Sequence, residues 1–355
     1  METTLKRLII CFLLSVTCMY FVLFGHSSLK LMPSYLLNNT EKSWLQMIKQ
    51  NGNETTLIAW MTSSSNHVNL SENLFSDEKR PKCKLDVDTL NAERFEVHEN
   101  STIAALWNSE LKGVKYGGSY SPEECVSEQR LAVIIPYRDR RKHLEILLNN
   151  LHTMFQKQKL SYTIFVVEIA LPMRFNRGLL LNIGFREAVS ISNFDCFVFH
   201  DVDLVPVNEK NLYQCKDQPV HLSSGNSKFN YNLPYAGYLG GVVLIRKKDF
   251  ETVNGYPNVY FGWGGEDDDF ARRVKSKKLQ VFTQNLTLGK YLALSHGDDS
   301  SNPKNPERFN ILSGAASRMA KDGLHSLKYH VLSMEFRPMF TWINVKYDEK
   351  AYSLA

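Results

Sequence analysis

No tract of lysine and arginine stands out in this 355-residue sequence; its 42 basic and 37 acidic side chains are dispersed, leaving a net charge of +5. So small and scattered an excess excludes a nucleic-acid interface, which concentrates basic side chains on one face. There is no CxxC pair and no Cys/His spacing of a zinc site among the six cysteines. No internal repeat is visible, which argues against a solenoid or a propeller. Charge is also missing from one stretch, residues 8–24, an apolar run of seventeen residues at the short limit for crossing a bilayer.

Lys6 and Arg7 precede that run, which keeps the N-terminus cytoplasmic and sends the rest of the chain to the lumen. A cleaved signal peptide is the rival reading, with Gly25-His26-Ser27-Ser28 as its cleavage region. The bulky side chains from Cys18 to Phe24 favour an uncleaved anchor. The expected organisation is a cytoplasmic tail over 1–7, a signal-anchor over 8–25, a stem over 26–80 rich in Ser, Asn, Thr and Glu, and a catalytic domain over 81–355. A short span suits an early-secretory membrane, so a single-pass type II Golgi protein is expected. Glycosylation sequons at Asn38, Asn53, Asn69, Asn100 and Asn285 agree with a lumenal home. Cys11 and Cys18 fall in the apolar run, leaving Cys83, Cys125, Cys196 and Cys215 as an even lumenal set able to form disulfides.

From Leu131 the text becomes periodic. LAVIIP is an apolar run stopped by Pro136, and a helix follows with His143, Leu144, Leu147, Leu148 and Leu151 at helical spacing. YTIFVVE is a second strand, residues 177–188 a second helix, and CFVFHDVD a third strand ending in acids. Strands alternating with helices predict an α/β fold built on a mostly parallel twisted sheet flanked by helices, with ligands outside the carboxyl ends of its strands.

Two constellations carry chemistry. Strand geometry would place Asp201 and Asp203 on one face and Val202 on the other, and paired carboxylates at a strand end hold a hard divalent cation and, through it, a diphosphate. A solvated turn is the plain alternative. The stretch FGWGGEDDD sets glycines around Trp263 and then four acids, Glu266 to Asp269, at the start of a helix. Acids there favour the helix dipole. Four in a row exceed what capping needs, and one is expected to act as general base toward a sugar hydroxyl. Arg138, Arg140, Arg141 and Arg177 are candidates for diphosphate or base contacts, against surface ion pairs as the plain reading. His296 is a candidate imidazole metal ligand.

FNRGLLLNIGF, FVFHDVDLVP, the GYLGG turn, GWGGEDDDFARR and NPERF together resemble the β-1,4-galactosyltransferase family, in order, from about Cys83 to Asp348. The resemblance implies an inverting GT-A-like enzyme that uses Mn2+ and UDP-galactose to galactosylate the 4-hydroxyl of a glycan acceptor, a terminal GlcNAc on glycoprotein or glycolipid. It implies the disulfides Cys83–Cys125 and Cys196–Cys215. It implies a donor site of Pro136, Arg138, Arg140, Phe175, Arg177, Asp201, Val202, Asp203, Lys228, Tyr238 and Trp263, with Asp203 and His296 on the metal. Asp267 would be the base with Glu266 beside it, and Tyr235, Arg308 and Phe309 would shape the acceptor pocket. Tyr238 would stand at carbon 2 of the donor sugar, as in the galactose users of that family.

The sequence departs from the family's pattern at three positions. Ala293 stands where well-known members place a Met three residues before the metal His, and Ala cannot bind metal. Ile311 follows Arg308-Phe309-Asn310, and Leu312 replaces a usual β-branched residue. Alternatives to a galactosyltransferase are the same fold using UDP-N-acetylgalactosamine, a catalytically impaired glycan-binding relative, and a metal-dependent hydrolase.

Overall fold

The computed structural model describes residues 80–92, 113–295 and 302–352. The apolar run, the stem sequence before Arg80, His296 and the sequons at Asn38, Asn53, Asn69 and Asn100 lie outside the described residues. Among the described residues no helix is long and apolar enough to cross a membrane.

A two-residue strand, β1 (Ser119–Tyr120), precedes β2 (Arg130–Tyr137), in which every residue after the first is buried. Pro136 does not stop β2 as expected; it stands within the strand, opposite Val167. Its missing amide is harmless there, because pairing on the other side of β2 ends at Ile134. Helix α1 (Arg141–Lys157), strand β3 (Ser161–Ile169), helix α2 (Arg177–Ile191) and strand β4 (Cys196–His200) follow. Asn176 caps α2, its side chain accepting the Leu179 amide at 2.9 Å. Gly184 lets α2 lie close on the sheet, since a Cβ there would come within 2.3 Å of Ile134.

The second half is shorter-grained: β5 (Leu204–Pro206), β6 (Val220–His221), β7 (Gly225–Asn226), β8 (Val242–Arg246), α3 (Lys247–Thr252), α4 (Glu266–Ser276), β9 (Phe282–Thr283), β10 (Lys290–Ala293), α5 (Arg308–Ser313), α6 (Ala315–Arg318), β11 (His330–Phe336) and β12 (Thr341–Lys346). The main sheet runs β11-β12-β3-β2-β4-β8-β6-β9, with β1 also on β3. It is mixed rather than mostly parallel. The ladders β12–β3, β3–β2, β2–β4 and β6–β9 are parallel, while β11–β12, β4–β8, β8–β6 and β1–β3 are antiparallel. The reason is local: β8 comes back along β4 out of a loop, and an antiparallel neighbour needs no crossover helix. Strands β5, β10 and β7 form a small second sheet.

Both faces of the central strands are covered, as parallel strands require. Val133 and Ile135 face α1 through Leu147 and Leu151, while Ala132 and Ile134 pack in the other core with Leu180 and Ile183 of α2 and Phe270 of α4. The disulfides Cys83–Cys125 and Cys196–Cys215 form as expected, with Cα separations of 4.9 and 5.7 Å.

Candidate active site

The site lies where β4 ends, β8 begins and the first turns of α2 and α4 converge. β4 ends at His200, one residue before the acids, so Asp201 and Asp203 are not on one face of a strand as expected. They sit in a tight turn into β5, closed by the Leu204 amide on the Asp201 carbonyl at 3.4 Å. Pairing explains the early end: the β4–β8 ladder stops at His200 opposite Val242, and the Asp201 amide then reaches the Gly241 carbonyl at 3.2 Å. Because β4 and β8 run oppositely, Gly241, just before β8, and Asp201, just after β4, fall at the same end of the sheet.

Arg177, the first residue of α2, is the hub. Its Nε lies 2.5 Å from Asp201 Oδ1, its Nη1 2.7 Å from Asp267 Oδ1 and 3.8 Å from Glu266 Oε1, and its Nη2 3.3 Å from the Gly241 oxygen. Its guanidinium stands 5.8 Å from the centre of the Tyr256 ring, a residue absent from the sequence expectations. A guanidinium whose planar fork spans two carboxylates fixes both in register. Burial pushes the Asp267 carboxyl well above the usual carboxylate range; Arg177 pulls it back, and Glu266, Asp201 and Asp268 push it up again. Asp201 is raised to about 6, by burial first and by Asp203 among its neighbours, with Arg177 opposing. Glu266 is raised by burial, again against Arg177.

The four acids of α4 divide the labour. Glu266 and Asp267 face Arg177, and Asp268 accepts the Tyr235 hydroxyl at 2.8 Å. Asp269 is fully buried and structural, bonded by Arg273 Nε at 2.8 Å, the Tyr260 hydroxyl at 3.0 Å and Arg318 Nη2 at 3.1 Å. The loop before α4 needs its glycines, with Gly262, Gly264 and Gly265 at φ of +90, +102 and +100°. Trp263 is 54% exposed, and its backbone bonds Pro303 and Asn305 at 3.0 Å each. Arg308 lies over the Phe309 ring at 4.3 Å, against Gly264, and Tyr235, Trp263 and Phe309 leave an exposed aromatic rim about the start of α4.

Arg138 stacks on Phe175 at 5.1 Å, and Arg140 opens α1. Arg141 pairs with Glu145 on the surface, the plain reading of that residue. Pro136 is buried and Val202 packs against the α1-side core. Tyr238 stands with its hydroxyl against Gly240 and its ring 5.4 Å from that of Tyr235. Lys228 is exposed, next to Ser227, whose hydroxyl accepts the Ala293 amide at 2.8 Å.

Among the described residues no three His, Cys, Asp or Glu side chains cluster to hold a metal. A divalent cation nevertheless fits the donor chemistry of the turn. Asp201 and Asp203 are close enough for Asp203 to raise its neighbour's pKa, and the Asp203 carbonyl accepts the Leu294 amide at 2.8 Å, which brings the end of β10 alongside. Hard oxygen donors of this kind suit manganese or magnesium.

Residues 83–216 match the family model described as the N-terminal region of glycosyl transferase group 7, and residues 220–297 match that described as the N-terminal domain of galactosyltransferase. β-1,4-Galactosyltransferase 4 of Cricetulus griseus is 46% identical over 231 residues, 65% of this chain and 67% of its own length. β-1,4-Galactosyltransferase 1 of Bos taurus is 44% identical over 232 residues, and the matched stretch spans 58% of that relative's length. A crystal structure of a Drosophila β-1,4-galactosyltransferase 7 mutant, in complex with manganese, UDP-Gal and xylobiose, is similar in fold. Its TM-score is 0.54 at 29% identity, covering 63% of this chain and 97% of that one.

Proposed function

The chain belongs to the β-1,4-galactosyltransferase family, and from that premise we propose that it transfers galactose from UDP-galactose, with inversion, to the 4-hydroxyl of a terminal GlcNAc on a glycan. The observation that carries the reading is the Arg177 bridge, which holds Asp267 beside Asp201 and the Tyr238–Gly241 turn. A base next to the donor-sugar wall is what a single displacement demands.

Asp267 takes the proton of the acceptor hydroxyl as that oxygen attacks the anomeric carbon on the face away from UDP. Burial keeps its carboxyl basic, and Arg177 keeps it aimed. Glu266 sits beside it and carries the partner role. Arg138, Arg140 and Phe175, with Pro136 behind them, receive the nucleotide, and Lys228 approaches the diphosphate. Asp203 and His296 would hold a Mn2+ ion, which would supply charge neutralisation of the departing UDP. Ala293, with a methyl side chain, would add no ligand to them. Trp263 covers the donor from its glycine-hinged loop and limits hydrolysis. Tyr235, Arg308 and Phe309 present the acceptor. The manganese, UDP-Gal and sugar bound by the Drosophila relative support this assignment of ligand classes. The apolar run over 8–24 behind Lys6 and Arg7 supports a Golgi membrane anchor, and the sequons support a glycosylated stem.

The test is the full-length protein in detergent with a panel of UDP-sugars and manganese, with and without GlcNAc. Galactose transfer to the added sugar is expected. Net hydrolysis alone, or donor binding with no turnover, would replace this reading with a hydrolase or a glycan-binding relative.

A further inference from the structure

The turn carrying Tyr238 is held from behind by two buried side chains. His221 ends β6, fully buried and opposite Val243 of β8. Its Nε2 lies 2.8 Å from the Gly240 oxygen, and its ring meets that of Tyr238 at 5.8 Å and 71°. The Ser223 hydroxyl lies 3.2 Å from the same Gly240 oxygen and accepts the Val242 amide at 2.8 Å, which ties the turn to the first residue of β8. Burial holds the imidazole neutral, with its pKa down at about 4. Its one proton then belongs on Nε2, because Nδ1 has no hydrogen-bond partner while Nε2 faces a carbonyl. His221 therefore donates to Gly240.

The turn has no slack. A Cβ at Gly240 would come within 2.3 Å of the Tyr238 hydroxyl and 2.7 Å of Asp267 Oδ2. A Cβ at Gly241, which has φ +88°, would come within 2.5 Å of Ser223 Oγ. Tyr238, Gly240, Ser223 and Asp267 form one packed unit.

We infer that His221 and Ser223 are positioning residues for donor choice: by clamping the Gly240 carbonyl they keep the Tyr238 ring from yielding to an N-acetyl group on the donor sugar. The inference rests on the reading of Tyr238 given above. A steric wall discriminates only as far as it resists displacement, and close-packed surroundings supply that resistance. Neither side chain needs to touch the donor.

The experiment is kcat/KM for UDP-galactose and UDP-N-acetylgalactosamine on full-length protein. Ser223→Ala and His221→Phe should each shift the ratio toward N-acetylgalactosamine by roughly 3- to 10-fold, the effect of losing one neutral hydrogen bond. His221→Gln, whose amide can still donate to the carbonyl, should restore much of the wild-type ratio. In a Tyr238→Leu background Ser223→Ala should change the ratio no further, because the wall is already gone. Ser223→Ala deletes one hydroxyl and keeps the test open if His221→Phe does not fold. A structural role alone would lower both donors together. If the wild type selects galactose and the Ser223 and His221 variants keep its ratio, or the shift persists undiminished without Tyr238, the clamp is wrong while the transferase reading stands. A wild type that uses neither donor sinks that reading, and the clamp with it.

Discussion

Asp267 carries two opposed influences, burial raising its carboxyl and Arg177 lowering it. A base works when deprotonated, so kcat/KM should fall on the acid side, with the limb above the ~3.9 of a free Asp. The signs of two neighbours follow. Arg177→Gln removes the cation that lowers the pKa and should move the limb to higher pH. Asp201→Asn removes an anion that raises it and should move the limb down. A pH–rate profile in which the two shift together would dissociate Asp267 from the limb. The same proton affinity makes the folded protein hold a proton that the unfolded chain releases, so this group costs stability as pH rises from ~3.9 to its folded pKa. Asp267→Asn keeps the shape and should lower turnover by roughly 10² to 10⁴ while UDP binding survives; near-normal turnover would pass the role to Glu266. Asp203→Ala should instead abolish manganese-dependent UDP binding, read by titration of UDP with and without the metal. Tyr238→Leu is a prediction about space: an acetamido group forced against the ring costs about 1–3 kcal/mol, or roughly 10- to 100-fold. The Leu variant should therefore gain UDP-N-acetylgalactosamine use, and an unchanged donor ratio would place selection elsewhere in the pocket.

Among elements, those of residues 130–200 were legible, while the short strands after them and the longer β11 and β12 were not. Residues 130–200 write their strands and helices in apolar periodicity, and α1, α2 and β3 formed close to their expected spans, while β4 stopped at His200, short of the acids. The two- to five-residue strands β1, β6 and β8, all in antiparallel ladders, carry too few side chains for a period. Their pairing is set by what lies across from them, as Val242–Arg246 is by β4. The acids of α4 were recognisable as a cluster, but their division was not, because Asp269 is claimed by Arg273 and Arg318 from outside its own turn. Arg177 was visible as a cation and its role as a bridge was not, since that depends on the chain bringing two helix N-termini together. His221, Ser223 and Tyr256 sit in irregular polar and glycine-containing text with no motif, and gave no signal. Gly265 did: it opens α4 at φ +100°, and a Cβ there would come within 2.5 Å of the Tyr260 ring. Gly265→Ala should cost about 1–3 kcal/mol, measured as a lower Tm, and should lower galactose transfer because Glu266 and Asp267 hang from that turn. An unshifted Tm would mean that the loop relaxes freely.

At the scale of the molecule, the Arg177–Asp267 centre is assembled where the sheet-building part of the chain ends its strands and starts its helices. Asp201 follows β4, Gly241 precedes β8, Arg177 begins α2 and Glu266 begins α4, so strand reversal and two helix starts assemble the centre from 90 residues of sequence between Arg177 and Asp267. The Cys83–Cys125 disulfide ties the segment ahead of β2 to the same body, and Asp77–Ala355 forms one compact unit. Chemistry confined to that unit should survive removal of the proposed anchor and stem. A protein starting at Asp77 should therefore be secreted from a signal-peptide vector as a soluble domain, keep the disulfides at Cys83–Cys125 and Cys196–Cys215, and transfer galactose to soluble GlcNAc with kcat/KM within roughly 3-fold of the full chain, a difference under 1 kcal/mol. The two forms should differ instead in location, the full chain sedimenting with Golgi membranes and the truncated one appearing in the medium. Loss of turnover on truncation would show that residues before Asp77 complete the site. Secretion of the full-length chain would show that residues 8–24 are cleaved as a signal peptide and do not anchor it.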